Sequence, residues 1–267
     1  MNDGHGGVLR GLSRYIYKTM ALAEMEARKL RHDPTELITR VVQPVLWLLV
    51  FGEVLSKLRA IPTGSLTYLE FLTPGILAQS VLFIAIFYGI SVIWERDLGI
   101  VHKFLASPTP RSALVFGKAL SAGIRGLSQA AIIYVLAVLL GVQVRWNPLA
   151  ILAVLVFVVL GAAIFSTLSL VIACLVRTRE RFMGIGQLLT MPLFFASNAL
   201  YPIELMPSWL QGISMGNPLT YLVDALRTLM LPGYAAEFPL ILDFGAMLLV
   251  LLVLAAIGAK LYPRLAR

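Results

Sequence analysis

Cysteine and charged side chains are both scarce in this chain of 267 residues: cysteine occurs once, and charged residues make up 13%. The single cysteine, Cys174, excludes a disulfide within the chain, and its apolar neighbours predict a small buried residue. Two sequence patterns are also missing, the G-x-x-x-x-G-K-[ST] of a P-loop and the H-E-x-x-H of a zinc protease. The sequence therefore holds no P-loop nucleotide site and no active site of that protease type.

Apolar residues, by contrast, form 59% of the chain, against about 45–50% in a typical soluble domain. They are concentrated in six long runs. A helix of about 20 apolar residues crosses a hydrocarbon core of roughly 30 Å, so the sequence predicts an all-α polytopic membrane protein with six spans. The predicted spans are Ile38–Leu55, Leu69–Trp94, Ala113–Val142, Leu149–Val176, Phe182–Leu200 and Leu240–Leu261.

Few titratable residues occur within these runs. The three histidines, His5, His32 and His102, all lie outside them, so we expect no metal site inside the membrane. No two carboxylates occur at helical spacing within a run, whereas an ion-coupled carrier usually has acidic groups at mid-membrane depth. We therefore predict no catalytic and no metal-binding residues.

Lysine and arginine are distributed unevenly between the two sides of the predicted membrane. The net charge is +8, and 17 of the 22 Lys and Arg residues fall on the side that both termini would share. Four fall on the opposite side, and Arg125 lies within the third run. Because cytoplasmic loops are enriched in Lys and Arg, we expect both termini in the cytoplasm. The family resemblance described below fits a multi-pass protein of a bacterial or archaeal cell (inner) membrane.

The first 36 residues differ from the rest. Between Leu9 and Leu30, apolar residues recur with a helical period and cations occupy other positions. We expect an amphipathic helix on the cytoplasmic membrane surface, and a helix packed against a partner protein is the alternative. Residues 1–36 would form a tail and this interfacial helix, and residues 37–267 the six-helix domain.

The loop between the second and third runs contains a further amphipathic segment. A helix over residues 99–106 would bring Ile100, Phe104 and Leu105 together, and the prolines at 108 and 110 would end it. Such a helix is suited to a groove on another protein. A solvated loop with a few buried apolar residues is the alternative.

The segment between the fifth and sixth runs is too apolar for an ordinary loop. It contains one short apolar piece after Pro207 and a second that begins at Asn217-Pro218. Asparagine at the N-cap and proline at the first helical position are typical of a helix start. We expect two short helices at about residues 205–232 that enter the outer leaflet and return. Asp224 and Arg227, at i and i+3, are expected to pair on the second helix.

Arg125 is the most costly polar residue inside the predicted spans, at about 2.5–3.5 kcal/mol if it is central. Two interpretations stay open: an ion pair with a carboxylate such as Glu95 or Glu180, or a cation at the inner mouth of a pathway. Gln129 lies one turn further along, and Glu95, Arg125 and Gln129 are our candidates for an inner gate. The following aromatic residues are candidates either for the wall of a cleft between two subunits of a dimer or for packing against lipid or neighbouring helices: Phe83, Phe87, Tyr88, Phe194 and Phe195.

Two sequence patterns resemble those of type-2 ABC exporter permeases, in particular the daunorubicin-resistance-like branch. The first, Glu95-x-x-x-Gly99 followed by Phe104-Leu105-x-x-Pro108-x-Pro110-Arg111 and Gly117-Lys118, is similar to the first cytoplasmic loop of that family. The second, Asn217-Pro218 through Asp224-x-x-Arg227, resembles the motif before its last span. Six spans, an N-terminal interfacial helix and an outer re-entrant pair match the architecture of the family.

The resemblance implies a transporter subunit rather than an enzyme. It implies a homodimer of permeases and two copies of a separate cytoplasmic ATPase that bind ATP and Mg, with no cofactor on this chain. The segment 99–106 would be the coupling helix that docks into the ATPase. The residues implied in this contact are Gly99, Ile100, Lys103, Phe104, Leu105, Pro108 and Arg111.

The expected function is therefore ATP-driven export of an amphiphilic, lipid-linked or drug-like substrate from the cytoplasm or the inner leaflet. An ATPase-independent carrier or channel is the alternative.

Overall fold

A computed structural model describes residues 41–58, 61–64, 66–100, 111–176 and 178–263, and within these ranges it is helical and has no strand. We number the main helices α1 to α8 in chain order. They are α1 (residues 41–58, including the π-helical Trp47–Gly52), α2 (Tyr68–Asp97), α3 (Arg111–Leu139), α4 (Pro148–Leu175), α5 (Arg179–Phe195), α6 (Ser208–Met215), α7 (Pro218–Met230) and α8 (Leu240–Leu261).

The described residues include four helices that are long and apolar enough to cross a membrane. They are α2, α3 from Leu114 onward, α4 and α8, and they coincide with the predicted second, third, fourth and sixth spans. The all-helical membrane fold is thereby confirmed. The count of six spans stays a prediction, because α1 is described only from residue 41 and α5 has 17 residues.

The predicted end of the fifth span at Leu200 is wrong. α5 ends at Phe195, three residues after Pro192. The Ala196 N–H still bonds to the Pro192 carbonyl at 2.8 Å, and the chain then turns. Ser197 and Asn198 therefore lie in the turn after α5 and not inside a span.

Local sequence sets other helix ends. A capping box begins α2: the Thr67 hydroxyl accepts a hydrogen bond from the Glu70 N–H, and the Glu70 carboxylate accepts one from the Thr67 N–H. α3 is closed by Gly141, whose φ of 72° suits glycine. Its N–H donates to the Val138 carbonyl at 3.1 Å and the next N–H donates to Ala137 at 2.9 Å, which is a Schellman motif.

α4 is the centre of the bundle and packs against α2, α3, α7 and α8. It meets α2 at Gly89, where an added Cβ would lie 1.9 Å from Ser169 Oγ. The Ser169 hydroxyl also donates a hydrogen bond to the Ile86 carbonyl of α2. Small residues let helices approach closely inside a membrane, so Gly89 allows this contact between α2 and α4.

We expect Gly89→Ala to destabilise the fold by about 1–3 kcal/mol, because the new methyl group overpacks the contact with Ser169. The matched control is Gly184→Ala on α5, where an added Cβ meets nothing within 4 Å. Alanine there should be neutral or slightly stabilising. Thermal unfolding in detergent measures both variants, and equal unfolding temperatures would contradict the close approach.

Candidate functional site

Asn217 joins the end of α5 to the start of α7. Its Oδ1 accepts a hydrogen bond from the Leu219 N–H at 3.0 Å and so caps α7. Its Nδ2 donates to the carbonyl oxygens of Leu193 at 2.7 Å and Ala196 at 3.2 Å. Carbonyls at the end of a helix lack helical donors, so one side chain serves both helix ends, while Pro218 takes the first helical position of α7.

Arg227 on α7 is 1% exposed and is bound to backbone carbonyls. Its Nε donates to Phe71 at 3.0 Å, and its Nη2 donates to Asn198 at 2.6 Å and Ala199 at 3.0 Å. The guanidinium carbon also lies 3.4 Å from the centre of the Phe71 ring. A planar fork of donors permits these bonds together, and Arg227 thereby ties α7 to α2 and to the turn after α5.

Asp224, also buried on α7, fixes the connection that leads to α8. Its Oδ1 accepts hydrogen bonds from the Tyr234 hydroxyl at 2.9 Å and the Glu237 N–H at 3.1 Å, and its Oδ2 accepts one from the Phe238 N–H at 2.9 Å. Burial raises the pKa of the Tyr234 phenol, so this hydroxyl remains protonated and able to donate at neutral pH.

The predicted ion pair between Asp224 and Arg227 is wrong. The carboxylate binds the connection before α8, the guanidinium binds α2 and the turn after α5, and no ion pair joins the two within the described residues. Helical spacing identifies neighbours on one helix but not the segments that pack against it. Buried backbone groups of those segments need partners, and these two side chains supply them. Nothing in the sequence pointed to Tyr234 as a member of this network.

A cleft of about 480 Å³ lies between α1, α2 and α3. It brings together two of the predicted gate residues, Arg125 and Gln129, and the α2 aromatics. The lining residues are Gln43, Pro44, Ser80, Phe83, Ile84, Phe87, Tyr88, Ser91, Arg125 and Gln129. The cleft therefore combines aromatic and aliphatic walls with a few polar groups, which is typical of a small-molecule site.

Gln129 is buried in the wall of this cleft, with 1% of its surface exposed. Neither its Oε1 nor its Nε2 has a hydrogen-bond partner in the part of the chain that the structure describes. A buried polar group without a partner costs about 1–3 kcal/mol.

The predicted ion pair of Arg125 with Glu95 is not formed. Glu95, the third predicted gate residue, pairs instead with Lys118 on α3 and is not among the residues that line the cleft. Tyr88 lies between the two cations: its ring centre is 5.6 Å from Lys118 Nζ and 5.0 Å from the Arg125 guanidinium carbon. Lys118 lies two turns nearer the start of α3 than Arg125, and this position brings it level with the end of α2.

The two α5 aromatics lie away from this cleft. Phe194 is fully buried and packs edge-on against Trp47 of α1, with ring centres 5.6 Å apart. Phe195 is 46% exposed and lines a separate apolar groove between α5 and α6. Phe194 therefore packs inside the bundle, whereas Phe83, Phe87 and Tyr88 line the cleft between α1, α2 and α3. A role of these aromatics in a dimer cleft stays a prediction.

Most of the predicted coupling segment lies outside the described residues, as do Lys103, Phe104, Leu105 and Pro108 and the predicted interfacial helix at the N-terminus. Gly99 is described and has a φ of 69°. Its N–H donates to the Arg96 carbonyl at 2.9 Å, so Gly99 closes α2. Arg111 begins α3.

Three contacts tie the end of α2 to the end of α4 and the start of α5. Asp97 pairs with Arg179 at 2.9 Å, and the Arg179 guanidinium carbon lies 3.7 Å from the centre of the Trp94 ring. Arg96 donates to the Val176 carbonyl, the C-cap of α4, at 3.2 Å. These contacts, which we call the inner tie, end two residues before Gly99.

We expect Asp224→Ala to destabilise the protein more than Tyr234→Phe does. The alanine leaves two backbone N–H groups and one hydroxyl without an acceptor, at about 1–3 kcal/mol for each buried group. The phenylalanine removes one of three donors, at about 0.5–1.5 kcal/mol. Thermal unfolding in detergent tests the order, and equal unfolding temperatures would show that Asp224 does not organise the connection to α8.

Comparison with known proteins agrees with this architecture. The family model described as ABC-2 type transporter matches residues 17–231. The chain is 29% identical over 261 residues to a putative transport permease ycf38 of Cyanophora paradoxa, and the match covers 94% of this chain and 89% of that protein. It is 31% identical over 241 residues to the daunorubicin resistance ABC transporter permease protein DrrB1 of Streptomyces coeruleorubidus, with 89% and 81% covered.

A more distant relative is the inner membrane transport permease YadH of Escherichia coli K12, 22% identical over 239 residues, with 85% of this chain and 87% of that protein covered. The family match takes in the predicted coupling loop, the cleft and the outer motif at Asn217–Arg227. This protein therefore belongs to the ABC-2 type transporter family and is a transport permease of an ABC transporter.

Proposed function

We propose that this chain is the membrane-spanning subunit of an ATP-driven exporter that moves an amphiphilic, lipid-linked or drug-like substrate out of the cytoplasm or the inner leaflet. The observation that carries the proposal is the cleft between α1, α2 and α3, of which α2 and α3 have membrane-spanning length and composition. Its apolar wall, which includes Phe83, Ile84 and Phe87, does not compensate a small ion for lost hydration, whereas the apolar part of an amphiphile matches that wall.

ATP hydrolysis takes place on a separate chain in this proposal, since the sequence has no P-loop. Two copies of a cytoplasmic ATPase serve a homodimer of this permease, and each docks the segment 99–106. Closure of the ATPases on ATP moves these segments as rigid bodies. The outer motif at Asn217–Arg227 keeps the opposite ends of the helices in place.

The inner tie is the route by which this motion reaches the helices. Asp97 and Arg179 are about one-third exposed, and ion pairs of that kind contribute only about 0–1 kcal/mol to stability. The inner tie nevertheless joins the end of α2, next to the coupling segment, to the start of α5 and the end of α4. A movement of the coupling segment is transmitted in this way to α4 and α5.

The ATPase contact is tested by substitution of both Phe104→Asp and Leu105→Asp in the tagged full-length chain. The wild-type permease, purified from its native membrane, should carry an ATPase subunit, identified by mass spectrometry. The double variant should lose that subunit or its coupled activity, because charges replace the apolar face of the segment. A wild-type chain that transports alone in response to an ion gradient would indicate a carrier or channel instead.

The inner tie is tested by Arg179→Ala, with Arg181→Ala on the same helix as the control, since Arg181 forms no ion pair within the described residues. A fluorophore at Gly184→Cys, in a Cys174→Ala background, reports movement of α5 on addition of ATP and vanadate. We expect Arg179→Ala to suppress the response while ATP hydrolysis and thermal stability stay near wild type. A response equal to that of the Arg181 variant would contradict this route.

A further inference from the structure

Arg125 gives the cleft between α1, α2 and α3 its charge. It lies on α3, lines the cleft and is half-buried, and the other described residues that line the cleft carry no charge. A guanidinium has five N–H donors in one plane. It can therefore keep its contact with the Tyr88 ring, whose centre is 5.0 Å away, and bind an anion at the same time.

The second cation near Tyr88 is placed differently. Lys118 lies two turns nearer the start of α3, pairs with the Glu95 carboxylate and is not among the residues that line the cleft. Its charge is thus balanced by Glu95. No carboxylate belongs to the described part of the cleft wall, so a negatively charged group that enters the cleft meets a cation and no like charge.

The size and walls of the cleft define the rest of the occupant. A water molecule takes up about 30 Å³ of liquid volume, so a cleft of about 480 Å³ is much larger than a small ion or one or two waters require. Phe83, Ile84 and Phe87 form an apolar wall that suits a hydrocarbon tail. Aromatic rings also attract quaternary ammonium groups, but Tyr88 already faces two cations, and Arg125 repels a third.

We propose that the cleft binds an amphiphile with an anionic headgroup, a sulfate, phosphate or carboxylate, and that Arg125 is the residue that selects it. This inference rests on the proposed function, in which the cleft belongs to the transport path, and it narrows the substrate class. Oxygens of the headgroup accept charge-assisted hydrogen bonds from the guanidinium, and the tail lies along the α2 wall. An anionic phospholipid of the membrane shares this chemistry, so the test separates a transported substrate from a resident lipid.

The binding test uses the full-length protein in nanodiscs of zwitterionic lipid and three probes that share one fluorescent dodecyl chain. Their headgroups are sulfate, glucoside and trimethylammonium, and empty nanodiscs give the baseline for fluorescence anisotropy. We expect saturable binding that is tightest for the sulfate and weakest for the trimethylammonium probe. Arg125→Gln should weaken sulfate binding about tenfold, through the loss of charge-assisted hydrogen bonds. It should bind the glucoside as the wild type does, which also shows that the variant is folded.

Two further variants separate the charge of Arg125 from other effects. Arg181→Gln, the same change at an exposed position on α5, should leave sulfate binding unchanged. Arg125→Lys keeps the charge without the planar fork of donors and should still bind the sulfate more tightly than the glucoside.

Several results would overturn the selective role of Arg125. They are equal affinity of the wild type for the three probes, tightest binding of the trimethylammonium probe, unchanged sulfate affinity in Arg125→Gln, and loss of the sulfate preference in Arg125→Lys. The absence of saturable binding by any probe overturns the ligand site itself, even if an ATPase co-purifies with the chain.

Transport separates a substrate from a resident lipid. In proteoliposomes that contain the permease and its co-purified ATPase, we expect ATP to drive the sulfate probe across the bilayer, and Arg125→Gln to slow this movement. Selective binding without ATP-driven movement in these proteoliposomes indicates a resident anionic lipid and overturns the substrate assignment. Selective sulfate binding by a chain that carries no ATPase supports the ligand site and overturns the proposed ATP-driven mechanism.

Discussion

The bonds from the buried Arg227 guanidinium to the carbonyls of Phe71, Asn198 and Ala199 hold together the part of the molecule where α5 ends and α7 packs against α2. Irregular backbone next to a membrane must find its hydrogen-bond partners within the protein, because lipid offers none. α5 ends at Phe195 and the chain turns immediately, which leaves carbonyl groups without helical donors. Arg227 and Asn217 supply those donors from α7. The short helices α6 and α7 are thus fixed by the same contacts that allow α5 to end where it does.

The two ends of α2 differ in how firmly they are attached. The end of α2 at Thr67 is held by three features: the capping box, the Arg227 contacts, and a hydrogen bond from the Tyr68 hydroxyl to the Leu200 carbonyl at 3.1 Å. At the inner end, the Asp97–Arg179 pair is partly exposed and weak. The proposed coupling route uses this asymmetry, because in that proposal the motion enters at the weakly attached end of α2.

The cleft lies between these two ends and depends on the tight contact of α2 with α4. Because Gly89 and Ser169 bring those helices together, the opposite side of α2 faces α1 and α3 with Phe83, Phe87 and Tyr88. Tyr88 also lies between Arg125 and Lys118. One side of α2 therefore packs tightly against α4, and the cleft lies on the other side, between α2, α1 and α3.

The sequence by itself determined that the chain lies in a membrane and where most of its long helices lie. Apolar run length predicted the membrane helices, and Asn217-Pro218 predicted the start of α7, because both signals are local. It also identified Arg125 and Gln129 as unusual, since polar groups are costly in lipid. Only the tertiary structure decided which partners the buried polar and charged residues have. Asp224 binds Tyr234 and the backbone before α8 instead of Arg227, and Glu95 binds Lys118 instead of Arg125. The reason is that a buried polar group binds whichever unsatisfied group packing places beside it, and packing brings together segments that are far apart in the chain.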